Sequence, residues 1–176
     1  MLAKLTRLIR PLSLLFFTGL LSSVSAAEID SGLSSPEQVS YLAAIQRAHP
    51  NVSERQALLA QCNQLLKTYA LRAGYQLGQA DPRDLLYQLS ISAPGELLLR
   101  EESRAPQGLA VAVRNQQLSV FGVDPFIRYD CPLNGIRCVL QNPADGSPLL
   151  SVLRDQNGAA ELAKALSFLI RNLQKG

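Results

Sequence analysis

The chain has 176 residues, with 17 Lys+Arg against 14 Asp+Glu, one histidine and 47% hydrophobic content. That length and apolar share suit one globular domain with a real core and exclude a disordered chain. The basic excess sits entirely at the front: residues 1–26 hold Lys4, Arg7 and Arg10 and no acid, so the remainder carries 14 charges of each sign and a formal net charge of zero. The remaining arginines are scattered from Arg47 to Arg171, with no basic cluster to neutralise phosphates. The composition therefore argues against nucleic acid and against a polybasic membrane patch as partners.

Residues 1–26 read as a cleavable signal peptide. After the three cations, Leu12–Leu21 is an apolar run of ten, followed by the small residues Ser22 to Ala27. Ten is the length of a signal core, about half of the roughly twenty apolar residues that span a bilayer. Val24 and Ala26 place the cut before Ala27, and Ser25 and Ala27 place it before Glu28. No transmembrane segment is expected in the mature chain. Residues 27–34 read as a flexible leader, and 35–176 as a single α+β domain.

Ser35-Pro36-Glu37-Gln38 is a helix start, with Ser35 as cap and Pro36 as first helical residue. Val39, Leu42, Ala43 and Ile45 give the helix a stripe, and His49-Pro50 closes it. A second capping box, Ser53-Glu54-Arg55-Gln56, opens a helix whose apolar stripe predicts a run to about Ala73, capped by Gly74. The two helices form an antiparallel pair. For residues 81–91 two readings compete: a short helix from Asp81-Pro82, or a strand through the alternation Tyr87–Ile91.

Beyond residue 96 the period becomes two. Glu96–Arg100 reads as a strand, and Leu109–Arg114 with Leu118–Phe121 as a hairpin turned at Asn115-Gln116. Phe126–Cys131, Arg137–Gln141 and Leu149–Arg154 follow as short strands, with hairpin signals at Asn134-Gly135 and Asp145-Gly146. The short connections predict an antiparallel β-meander. A final helix over 158–174 presents a continuous face from Ala159 to Leu173, with Glu161, Lys164 and Ser167 turned away. The expected architecture is α+β: an N-terminal helix pair, a meander, and a C-terminal helix packed on the sheet.

Cys131 and Cys138 face each other across the Asn134-Gly135 tip, which in an exported chain predicts a disulfide. A strict two-residue turn, however, would make them a hydrogen-bonded pair, whose spacing is wide for a disulfide; a longer loop would relieve this. Cys62 lies on a buried stripe and is expected to be a free thiol, the alternatives being a bridge to Cys131 or Cys138 or an intermolecular partner. A zinc site from the cysteines and His49 matches no standard ligand spacing. His49, at a helix C-terminus, reads as a structural residue.

No catalytic residue and no cofactor or metal motif is found. There is no G-x-S-x-G, P-loop, G-x-G-x-x-G or H-E-x-x-H, and a strand would point Glu101 and Glu102 to opposite faces. The most aromatic stretch runs from Val120 to Tyr129. Its plain role is core packing, but Phe126, Arg128 and Tyr129 are also the residue types of a candidate binding surface. The function expected is an exported, non-enzymatic binding or accessory protein of the bacterial envelope (an inhibitor, immunity factor, adaptor or assembly factor), periplasmic or secreted, with another protein as partner. The alternative is a small secreted hydrolase using carboxylate or serine chemistry without histidine. N-terminal sequencing of exported protein should begin at Ala27 or Glu28, and an intact Met1 in that material would overturn the signal-peptide reading.

Overall fold

The computed structural model describes residues 35–107 and 110–176; the signal peptide and leader expected at 1–34 lie outside the described residues. Helix α1 (Ser35–Ala48) and helix α2 (Glu54–Thr68) come first. Strands β1 (Asp84–Ala93), β2 (Glu96–Arg104) and β3 (Val111–Ser119) form one antiparallel meander. Strands β4 (Tyr129–Asp130), β5 (Arg137–Gln141) and β6 (Pro148–Leu153) form a second, and helix α3 (Gln156–Leu173) closes the chain. The fold is α+β, as expected, with the meander divided into two sheets.

The link between the helices uses the chemistry read from the sequence. Ser53 and Gln56 form a complete capping box at the start of α2. Asn51 takes a left-handed conformation in the link (φ 67°), which asparagine tolerates, and His49 meets the Gln61 side chain at 3.2 Å across it. Helix α1 is held to α3 by the Glu37–Lys164 ion pair and by Tyr41 stacked on Phe168 at 4.9 Å. The buried Tyr41 hydroxyl lies beside Glu161 without a hydrogen bond of good geometry; burial first, then that carboxylate's charge, raises the phenol above its ordinary pKa.

Helix α2 ends at Thr68, well before the expected Ala73. Tyr69 turns the chain out of the helix, and Ala70 and Leu71 are needed as extended backbone. The Tyr69 carbonyl accepts from the Leu153 amide at 2.8 Å, and the Leu71 carbonyl accepts from the Leu85 amide at 2.8 Å. Ala70 bridges to Val152 and Leu71 to Leu85, so this segment splices β6 to β1 and joins the two sheets. The Tyr87 hydroxyl adds a further tie by accepting from the Ser151 amide.

The helical reading of residues 81–91 is replaced by β1. Leu85, Tyr87, Leu89 and Ile91 alternate, and the strand pairs with β2 from Asp84 to Ala93. The hairpin expected at Asn115-Gln116 is also corrected. These residues lie in the middle of β3, which pairs with β2 without interruption from Val111↔Arg104 to Ser119↔Glu96. Asn-Gln offers no glycine for the positive φ of a tight turn, whereas Gly95 supplies it (φ 72°) at the β1–β2 turn. A Cβ at Gly95 would meet the Phe121 ring at 2.0 Å, so the aromatic ring occupies the space glycine leaves.

Leu162, Leu166, Leu169 and Leu173 of α3 are buried in a hydrophobic cluster with Leu58, Cys62 and Leu66 of α2 and with Cys138, Leu140 and Val152 of the second sheet. The first turn of α3 is equally close: a Cβ at Gly158 would meet the Tyr69 ring at 2.4 Å. One residue expected to face outward does not. Ser167 is 1% exposed; its hydroxyl donates to the Ala163 carbonyl at 2.7 Å and accepts from the Ile127 amide at 2.9 Å. Burial is affordable because the hydroxyl is satisfied on both sides, and it tethers the β3–β4 connector to the helix. Ser167→Ala leaves the Ile127 amide buried and unpaired, so urea unfolding should show a loss of about 1–3 kcal/mol. A loss below roughly 0.5 kcal/mol, the level of an ordinary surface substitution, would show that the tether is not structural.

Candidate functional site

The disulfide loop is the part of the predicted site that the structure resolves most directly. Cys131 and Cys138 are bonded, with Cα atoms 4.2 Å apart. The ladder explains the short spacing. The Gln141 amide donates to the Arg128 carbonyl, and Tyr129↔Leu140 and Asp130↔Val139 continue the register. By alternation 130:139 is hydrogen-bonded and 131:138 is not, and non-hydrogen-bonded pairs are the close ones. The reversal is therefore not a two-residue Asn134-Gly135 tip. The Gly135 amide donates to the Pro132 carbonyl at 3.1 Å, which makes Leu133 and Asn134 the central turn residues. Gly135 keeps an ordinary φ; at the other predicted turn, Gly146 takes the expected left-handed conformation (φ 74°). Cys62 is a free, fully buried thiol, and burial pushes its pKa up strongly.

Two rigid loops flank a groove of about 690 Å³. One wall is the disulfide loop, where Pro132, Asn134 and Gly135 line the space. It is pinned by the bridge and by Arg154, whose Nε donates to the Pro132 carbonyl at 2.8 Å and whose amide donates to the Ile136 carbonyl at 3.1 Å. The other wall is the segment between the splice and β1, where Gln76, Gln79 and Asp81 line the groove. Its ends are zipped by the Leu71–Leu85 bridge. Within it, Gln76 is buried and straps the loop: its side-chain amide donates to the Arg83 carbonyl and its carbonyl accepts from the Arg83 amide. The Ala73 amide donates to Asp84 at 2.8 Å. Leu71, Leu85, Ile136 and Val139 supply an apolar floor.

The loops beside the groove carry the most exposed large apolar side chains of the described residues, neither of them a lining residue. Leu77, between the lining residues Gln76 and Gln79, is 87% exposed, and Leu133, between Pro132 and Asn134, is 85% exposed. A lone exposed leucine is unremarkable on a protein surface. Here the two stand on the two loops that flank one groove, each loop with its own covalent or hydrogen-bonded brace. Sequence reading missed this site because residues 72–83 show no period and Leu133 was placed outside the turn.

The candidate trio is divided. Phe126 and Arg128 are exposed, while Tyr129 is half-buried, as alternation requires. Phe126 and Arg128 border a hollow of about 380 Å³ with Asp124, Asn142 and Asp145. Phe126 and Tyr129 also border a smaller hollow of about 120 Å³ against α3. The two carboxylates of the larger hollow act as turn acceptors: Asp124 accepts from the Phe126 amide at 3.0 Å, and Asp145 accepts from the Ser147 amide and hydroxyl at 2.9 and 2.7 Å. The Ser147 side chain, then its amide, holds the Asp145 carboxyl below its ordinary pKa, the opposite of what a general acid needs.

A further cleft of about 420 Å³ lies where α2 meets β1 and β2, with Leu66, Leu86 and Tyr87 in its walls and Lys67, Arg72 and Arg100 at its edge. Both arginines are paired internally, Arg72 with Asp84 at 3.5 Å and Arg100 with Glu102. Glu102 also meets Arg104; hydrogen bonds from Arg104 and then Arg100 hold its carboxyl below the usual range. Glu101 sits on the other face of β2 with Arg114 at 2.8 Å, so the adjacent acids are separated as alternation predicted. Among the described residues no group of three or more His, Cys, Asp or Glu is placed to hold a metal ion, and no helix is long and apolar enough to cross a membrane.

No protein-family model matches the chain, and no curated protein or solved structure is detectably similar to it. Peptide mapping without reductant should return one short loop linked through Cys131 and Cys138. Cys62 should react with an alkylating agent only after unfolding, since a buried thiol with a raised pKa holds little thiolate. Native-state labelling of Cys62 at the rate of a free thiol, or its appearance in the linked peptide, would contradict this arrangement.

Proposed function

We propose that the protein is an exported, non-enzymatic binding or accessory protein, periplasmic or secreted, and that the groove between the disulfide loop and the 72–83 segment receives its protein partner. The observation that carries this reading is the pair of leucines, Leu77 and Leu133, exposed to water on the two braced loops that flank the groove. Fully burying a leucine is worth roughly 1.5–3 kcal/mol, so covering both supplies several kcal/mol with little ordering cost in the walls. The groove floor is apolar while its walls carry amides, the Arg137 guanidinium and an Asp81–Arg83 ion pair at 2.8 Å, the mixture that suits a polypeptide segment better than a small apolar molecule. A disulfide brace also fits an oxidising compartment outside the cytoplasm, as the N-terminal segment suggests.

The test is site-specific photo-crosslinking in the producing cell. A photoreactive residue at position 77 and, separately, at position 133 should yield adducts with one and the same polypeptide. Leu77→Asp should cut the adduct formed from position 133 by tenfold or more, since losing one leucine anchor costs at least about 1.4 kcal/mol. Different adducts from the two positions, or the same yield from a control position at Lys175, would refute the groove as the docking site.

A further inference from the structure

We infer that β3 is a self-association edge, and that two copies of this chain pair β3 to β3 antiparallel about a two-fold axis at Asn115.

The two sheets have four outer edges; among the described residues other parts of the chain meet two, and a third belongs to a strand of only two residues. The edge of β1 is met by the Leu71 carbonyl, which accepts from Leu85, and by the Asn63 side chain, which accepts from the Leu89 amide at 2.8 Å and donates to the Leu89 carbonyl at 2.9 Å. The edge of β6 is met by the Tyr69 carbonyl and the Tyr87 hydroxyl. β4 is only two residues long, and just ahead of it the Ser167 hydroxyl receives the Ile127 amide. Among the described residues no other element pairs with the outer side of β3, although this edge is nine residues long. Natural sheets blunt such edges with lysine, proline or a bulge. β3 has no lysine and no proline, and its register with β2 contains no shift.

The strand's own sequence selects the occupant. The Val120 amide donates inward to the Gly95 carbonyl, so even-numbered residues of this strand hydrogen-bond toward β2. The odd-numbered residues, Val111 to Ser119, direct their amides and carbonyls outward. An antiparallel copy centred on Asn115 sets 111 against 119, 113 against 117 and 115 against itself, so the full strand overlaps and every pair of outward residues can exchange two hydrogen bonds. Its one charge, Arg114, which is already paired with Glu101 at 2.8 Å, then faces Gln116 of the second copy. Centring on Arg114 would shorten the overlap and set the two guanidiniums opposite each other, which is unfavourable. Val111 and Val113, 44% and 49% exposed, come to lie beside Ser119 and Gln117 of the second copy.

Sedimentation velocity of the mature protein over a wide concentration range should show a reversible monomer–dimer equilibrium. Gln116→Glu places a carboxylate opposite Arg114 twice per dimer and should tighten it by roughly tenfold, while Gln116→Arg should weaken it by a similar factor. Asn115→Pro removes an outward amide at an edge position, where a monomer tolerates proline, and should abolish the dimer with the circular dichroism spectrum kept. A protein that stays monomeric at all concentrations overturns the proposal. So does a dimer whose affinity moves the same way, or not at all, in the two Gln116 variants, since its interface would then lie elsewhere.

Discussion

Three residues carry the backbone link between the two sheets. Tyr69, Ala70 and Leu71 leave the helix before them and lend their backbone to strands far away in the sequence, Val152 and Leu153 on one side and Leu85 on the other. Backbone polar groups withdrawn from water must be paired, so strand edges brought face to face need a bridging backbone between them. The splice meets that requirement for β6 and β1 at once. It also sets the end of α2, zips the base of the 72–83 segment, and contributes Leu71 to the floor of the groove.

Helix α3 is the second half of the same solution. Its apolar face fills the space between α2 and the second sheet, and its polar groups tie the connector that would otherwise be loose. Ser167 receives the Ile127 amide, and the Gln174 side chain donates to the Val120 and Val123 carbonyls at 2.7 and 2.8 Å. At the other end Asp155 caps the helix through the Gly158 amide at 2.7 Å, and Gly158 lets the Tyr69 ring approach. The splice and the helix start are thus packed directly on each other, and neither can shift alone.

The functional reading follows from where this framework spends rigidity. The walls of the groove are braced by a covalent bridge on one side and by the buried Gln76 strap on the other, yet each displays a leucine to water. Neither leucine adds to the core of the isolated fold. The charged groups follow a different logic. Glu101, Glu102 and Asp84 sit beside arginines, and Asp124 and Asp145 serve their own turns.

What the sequence by itself determined is local. The Ser53–Gln56 capping box, the apolar face of α3, the pairing of Cys131 with Cys138 and the left-handed Gly146 follow from contacts within a few residues, where periodicity and turn chemistry are read directly. The trio Phe126, Arg128 and Tyr129 was legible as residue types, but its division between surface and interior depended on the strand that Tyr129 enters. Tertiary structure alone decided the early end of α2, the continuity of β3 through Asn115-Gln116, the hydrogen-bonding parity that brings the two cysteines close, and the burial of Ser167. Each rests on a partner distant in sequence: Leu153 for Tyr69, Leu99 for Gln116, Arg128 for Gln141, Ile127 for Ser167. A helix stripe and a strand alternation show which face an element buries, but a backbone group's partner exists only once the chain has folded back to meet it.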